Sequence, residues 1–154
     1  MSEMVRAPST TGHLVALQRL ARTKDGAPPI AKLIGFDLVS IDLGRSVMSF
    51  EAGPRHANPM GTLHGGVICD VADAAMGTAI ATTLEDGESF TTLSLTANYF
   101  KPIWTAKLRA TARVTKRTRS LGLIECEVED EKGSLVAKVF STCMVLRGDE
   151  AKGR

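Results

Sequence analysis

The chain predicts an α+β fold in which one antiparallel sheet wraps around a single long central helix. Three observations lead there. Residues 64–84 form the longest helical stretch, and Ala72, Ala74, Ala75, Gly77, Ala79 and Ala81 put small side chains on several of its faces. A surface helix shows one apolar stripe, so small residues all round indicate a helix closely surrounded by other structure. Strand-like segments flank it, two before and four after, without the regular strand–helix alternation of a parallel sheet. Val, Ile, Thr and Phe recur in the later segments, and Leu123-Ile-Glu-Cys-Glu-Val-Glu129 alternates with a period of two.

Each element has a local reason. Residues 1–10 are small and polar and are expected to be disordered. Leu14, Leu17 and Leu20 recur at helical spacing within residues 11–23, a short amphipathic helix that Gly26-Ala-Pro-Pro29 stops. Residues 30–33 add one turn. Residues 36–41 and 46–51 are strands joined by the turn Asp42-Leu-Gly-Arg45. An irregular loop, 53–63, leads into the long helix, and Glu85-Asp-Gly-Glu88 ends it. Strands at 90–100, 107–117, 121–129 and 134–146 then form a four-strand meander. The chain divides into an extension with a short helix (1–28), a main domain (29–147) and a charged tail (148–154). A single sheet has open edges and a second face to cover, so pairing with a second copy is expected.

Composition narrows the function. The 154 residues suit one domain, and 44% hydrophobic content supports a core. Nineteen basic and 17 acidic residues leave a net charge of +2, which gives no reason to expect nucleic acid. Aromatic content of 5% is too sparse for base-stacking platforms. Cys69, Cys126 and Cys143 lie far apart with no CxxC pair, so neither a metal site nor a redox motif is expected, and they read as buried thiols in a reducing cytosol. No apolar leader and no long apolar run occur, so the expectation is a cytoplasmic protein without a membrane span.

The stretch Arg55-His-Ala-Asn-Pro-Met-Gly-Thr-Leu-His-Gly-Gly, continuing to Asp73, carries the chemistry. A helix start exposes backbone N–H groups and partial positive charge, which suit a developing oxyanion. Gly65 and Gly66 let a ligand approach that backbone closely. A carboxylate such as Asp73 among Val, Ala and Met is costly without a role or a partner. Together these features suggest acyl chemistry. The competing reading makes Asp73 a structural acid paired with a buried Arg. Asp70, one turn earlier, reads as a helix-surface or interface residue.

At this point the chain resembles the hotdog-fold acyl-CoA thioesterases, in their phenylacetate-pathway (PaaI-like) branch. Asn58-Pro-Met-Gly-Thr-Leu-His-Gly-Gly66 carries the resemblance, with Asp73 nine positions after His64, Gly87, and Thr96-Ala-Asn-Tyr-Phe-Lys-Pro102. It spans about residues 29–147. The resemblance implies hydrolysis of an acyl-CoA thioester by a homodimer at least, commonly a homotetramer, without a cofactor. It also implies roles for matching positions. Asp73 is the catalytic carboxylate. Gly65 supplies the N–H that polarises the carbonyl, supported by His64. Asn58 is a polar residue near the acid or the water, and Thr92 is a hydroxyl that orients water. Gly66 and His56 are expected at the substrate. Lys101, Arg117 and Arg119 are candidates for the CoA phosphates, against a bland reading as solvated turn residues. Met60, Met76, Phe100 and Trp104 divide between acyl pocket and core. A hydratase and a non-catalytic acyl-CoA-binding module remain as rival readings.

Spacing adds a constraint of its own. Gly65 and Asp73 lie eight residues apart on one helix, roughly 12 Å along its axis. Both cannot act on one carbonyl within one chain, so a composite site across a dimer axis is expected.

Overall fold

The computed structural model describes residues 12–23 and 26–153. The expected disorder of residues 1–10, the side chain of Leu20 and the last residue of the tail fall outside this set. The described chain runs α1 (Gly12–Arg22), α2 (Pro29–Ile34), β1 (Phe36–Asp42), β2 (Arg45–Ala52), α3 (Gly65–Ala81), β3 (Glu88–Tyr99), β4 (Ala106–Arg117), β5 (Leu121–Asp130) and β6 (Leu135–Arg147). Six strands form one antiparallel sheet in the order β1-β2-β4-β5-β6-β3.

That order corrects the expected four-strand meander. Only β4, β5 and β6 are a meander. β3 pairs with β6 at the far edge, and β4 pairs with β2. Residues 100–105, which include Pro102, carry the chain from one side of the sheet to the other. Alternation along a strand reports which face is buried and says nothing about its neighbour, so the pairing order was not legible.

The hairpin between β1 and β2 turns on Leu43 and Gly44, with Asp42 opposite Arg45. Gly44 has φ +66, a left-handed backbone that glycine adopts without cost. Its N–H donates to Thr82 Oγ1 at 2.7 Å, which pins the hairpin tip to the residue just past α3.

Helix α3 lies against the strands of the sheet. Ala72, Ala75, Met76, Ala79 and Ile80 are fully buried. Burying a side chain the size of Met76 or Ile80 contributes about 1.5–3 kcal/mol. Small residues elsewhere on the helix allow the strands to come close. Ser46 Oγ, itself fully buried, donates to Ala75 O at 2.6 Å. Gly122 of β5 leaves room for Ile80, because a Cβ there would lie 2.4 Å from Ile80 Cδ1. At the start of β3, Glu88 is clamped between Arg117 at 2.8 Å and Arg147.

β1 and β3 are the sheet edges. β3 carries an irregularity between Thr92 and Ser94, where Leu93 has no partner on β6 and stands 54% exposed. Such a bulge bends the strand and re-aims its side chains.

Candidate active site

The site begins at the start of α3. His64 is its N-cap, and its Nδ1 accepts the Gly66 N–H at 2.9 Å. The Val67 N–H bonds to His64 O at 3.0 Å. Gly65 N–H has no hydrogen bond among the described residues, so of the His-Gly-Gly donors it is the one open to a ligand. Tyr99 lies over this turn. Its hydroxyl donates to Gly65 O at 2.9 Å and sits 3.1 Å from Cys69 Sγ. With its hydrogen committed to the carbonyl, the phenol accepts from the thiol. Burial, and then Cys69, push the Tyr99 phenol up to about 12, so it remains a donor. A Cβ on Gly65 would lie 2.9 Å from Tyr99 Cζ, so glycine here lets the phenol ring close over the turn and any larger residue must push that ring aside. Thr62, Gly65, Ile68, Tyr99, Phe100 and Lys101 line a cleft of about 450 Å³ here.

Asp73 sits two turns further along α3, half-buried. Burial raises its pKa above the ordinary carboxylate value, the Thr92 hydrogen bond offsets part of this, and Asp70 raises it further. Thr92 Oγ1 donates to Asp73 Oδ1 at 3.4 Å, long for a hydroxyl–carboxylate bond. The bulge follows Thr92 directly. Among the described residues no Arg or Lys pairs with Asp73. The reading as half of a buried ion pair therefore has no support.

Asp73 and Thr92 open onto a largely apolar cavity of about 510 Å³. Ala74, Gly77, Thr78 and Ala81 of α3 form one wall. Phe36, Leu38, Met48 and Phe90 from the strands form another. Leu17 and Ala21 of α1, Ala27 and Pro28 of the following linker, and Ile30 and Ala31 of α2 line the rest together with Asp37, a contribution of α1 that spacing within that helix alone does not disclose.

The remaining candidates are placed as follows. Asn58 organises its own loop: Oδ1 accepts from Met60 N–H at 2.9 Å and Thr62 N–H at 3.2 Å, and Nδ2 donates to Thr62 Oγ1 at 2.9 Å. His56 is buried with its ring at an edge-on 66° to Phe50. Its Nδ1 accepts from Gly53 N–H, so Nε2 carries the proton and donates to Ile34 O at 2.9 Å. Lys101 pairs with Asp130 at 2.5 Å, and Arg117 pairs with Glu88. Arg119 is exposed. Lys101 follows one end of β3 and Arg117 grips the other, about 35 Å away at the usual strand rise. One chain does not bring these cations together. Met76 is core, while Met60, Phe100 and Trp104 are exposed. Tyr99 is the residue that the sequence left without a role. Among the described residues, no group of three or more His, Cys, Asp or Glu side chains is placed to hold a metal ion.

The profile of the thioesterase superfamily matches residues 60–137, half of the chain. The chain belongs to this superfamily. The match begins in the Asn58 loop and takes in Gly65, Asp73 and Thr92. A 1,4-dihydroxy-2-naphthoyl-CoA hydrolase of Listeria monocytogenes is 28% identical over 116 residues, covering 75% of this chain and 93% of that one. A phenylacetic acid degradation-related protein of Ralstonia eutropha superposes with a TM-score of 0.74 at 29% identity, over 82% of this chain and 97% of its own. The Escherichia coli PaaI protein, at 22% identity, shares the fold with a TM-score of 0.78 over 89% of this chain and 98% of its own. The protein is thus a hotdog-fold thioester hydrolase of PaaI-like architecture. Among the described residues, no helix is long and apolar enough to cross a membrane.

Proposed function

We propose that the protein hydrolyses an acyl-CoA thioester to the free acid and CoA, with Asp73 as general base and Gly65 N–H as the oxyanion donor. The observation that carries this reading is the Asp73 carboxylate, half-buried, without a cationic partner among the described residues, and lining the 510 Å³ cavity. Desolvation makes it a stronger base than an exposed aspartate. Thr92 holds one carboxylate oxygen, leaving Oδ2 to take a proton from water. The resulting hydroxide adds to the thioester carbon. Gly65 N–H stabilises the oxyanion, supported by the helix start. The C–S bond then breaks, and CoA leaves as its thiol with the proton that Asp73 took up.

The two groups are about 12 Å apart along α3, whereas reacting atoms must approach to about 3–3.5 Å. The site is therefore composite: the Gly65 turn of one protomer faces Asp73 of its partner, two sites per homodimer. The unpaired edge of β3, with Leu93 and Tyr99 exposed on it, offers a surface for that pairing.

Release of free thiol from a panel of acyl-CoA thioesters tests the reading, wild type beside Asp73→Asn. Turnover of one acyl class, reduced about 10²–10⁴-fold in the variant, supports it. A folded wild type that releases no thiol from any thioester overturns it. Single turnover in oxygen-18 water checks the base role, since label appearing in Asp73 would instead make the carboxylate a nucleophile.

A further inference from the structure

We infer that the cavity beside Asp73 is a chamber for an elongated, uncharged apolar acyl group, and that α1 forms its roof, so Leu17 and Gly77 set the acyl length this chain accepts. The inference rests on the thioesterase reading above and deepens it.

The chamber follows one face of α3. Asp73, Ala74, Gly77, Thr78 and Ala81 all line it. This spacing tracks a single helix face. From Asp73 to Ala81 the helix rises about 12 Å, which is the reach of a medium-length chain or fused rings, far beyond an acetyl group. Among the described residues no Lys or Arg lines the chamber, whereas the carboxylates Asp37 and Asp73 both do. An acyl group ending in a carboxylate would meet repulsion from both and no counter-charge among those residues.

The roof is anchored away from the Gly65 end. Gly12, at the start of α1, lies beside Asp86, just past the C-terminal end of α3. Gln18 Nε2 donates to Ile41 O, next to the β1–β2 turn that Thr82 holds. From there α1 turns Leu17 and Ala21, spaced four apart, toward the chamber. Gly77 marks a narrow point. A Cβ at Gly77 would come within 3.3 Å of Phe90 Cζ across the space.

Side chains at these two positions act in opposite directions. Gly77→Val obstructs the chamber one turn beyond Asp73, while Leu17→Ala removes bulk from the roof. A single methylene in an apolar pocket discriminates by about 10–200-fold. Hydrolysis of butyryl-, hexanoyl-, decanoyl- and tetradecanoyl-CoA by the full chain gives kcat/KM for each length. The ratio of decanoyl to butyryl should fall at least about tenfold in Gly77→Val, and the ratio of tetradecanoyl to decanoyl should rise about tenfold in Leu17→Ala. Val15→Ala, on α1 but outside the chamber, should leave both ratios as they are. Calorimetric binding of the non-hydrolysable decanoyl thioether of CoA to the same variants provides a readout that needs no turnover. If both ratios and the thioether affinity stay unchanged in folded variants, the chamber assignment is overturned and the thioesterase reading stands. If the wild type turns over nothing yet binds the thioether more weakly after Gly77→Val, the chamber stands and the hydrolytic reading falls. Wild type that neither binds nor hydrolyses overturns both.

Discussion

Two inactive versions of this chain should make a partly active enzyme when mixed. Asp73→Asn removes the base. Gly65→Pro removes the oxyanion donor, and Pro is well suited to the first position of a helix, where Gly65 stands. The added ring must push aside the end of the half-exposed Tyr99 side chain, so Tyr99→Phe serves as the control for that displacement. If each site takes Gly65 from one protomer and Asp73 from the other, a mixed dimer carries one intact site and one doubly defective site. Random exchange of equal amounts gives about half mixed dimers, so thiol release should recover to about a quarter of wild type, and to about half in mixed dimers purified through two tags. The assay is release of CoA thiol from the best substrate, with melting curves confirming that both variants fold. Mixed dimers that stay at the background of the parents would refute the composite site. Both groups would then have to act within one chain across about 12 Å of helix, which the direct-attack geometry does not permit.

Further predictions concern the acid, the helix start and the core. The acid limb of kcat/KM should lie above the ordinary aspartate value; Asp70→Asn should move it to lower pH and Thr92→Val to higher pH, because these neighbours raise and lower Asp73 respectively. Asp73 is raised in the folded chain, so its ionisation costs stability that builds as pH rises from the ordinary aspartate value to the raised one and is full above it; Asp73→Asn should therefore raise Tm at neutral pH, with the gain fading in acid. Tyr99→Phe removes the hydroxyl that holds Gly65 O and should lower kcat about tenfold through a misplaced donor while KM holds; an unchanged kcat would remove Tyr99 from the positioning of the site. Gly122→Ala drives a methyl into fully buried Ile80 and should cost about 1–3 kcal/mol in urea unfolding, and a loss below the error of the fit would show that Ile80 has room to move.

Local structure was legible, and the pairing of distant strands was not. The His-Gly-Gly turn and Asp73 share one helix, so their spacing alone fixed their relation, and the small residues of α3 foretold its burial. The observed helix, Gly65–Ala81, is shorter than the expected 64–84 because His64 caps it and Thr82 and Thr83 turn their hydroxyls back onto its last carbonyls. Thr92 reached Asp73 across 19 residues, and only the family resemblance pointed to it. Tyr99 and Leu17 were silent because each acts through an element distant in the chain, and alternation records a strand's buried face without its neighbour. His56 and Asn58 look alike in sequence to groups that touch a ligand. Both turn out to satisfy backbone donors and acceptors nearby, a role that any polar loop residue can fill.

The roof and the reaction occupy different lengths of the chain. Gly65, Asp73 and Thr92 fall within residues 60–137, the portion that defines the superfamily, whereas Leu17, Ala21, Phe36, Leu38 and Met48 all precede it. Gly77 and Phe90, the narrow point of the proposed chamber, share the matched portion with the reacting groups, while its roof lies before it. Drift in that early segment would reshape the roof alone, altering the acyl preference within the limit set by Gly77 while leaving Gly65, Asp73 and Thr92 untouched.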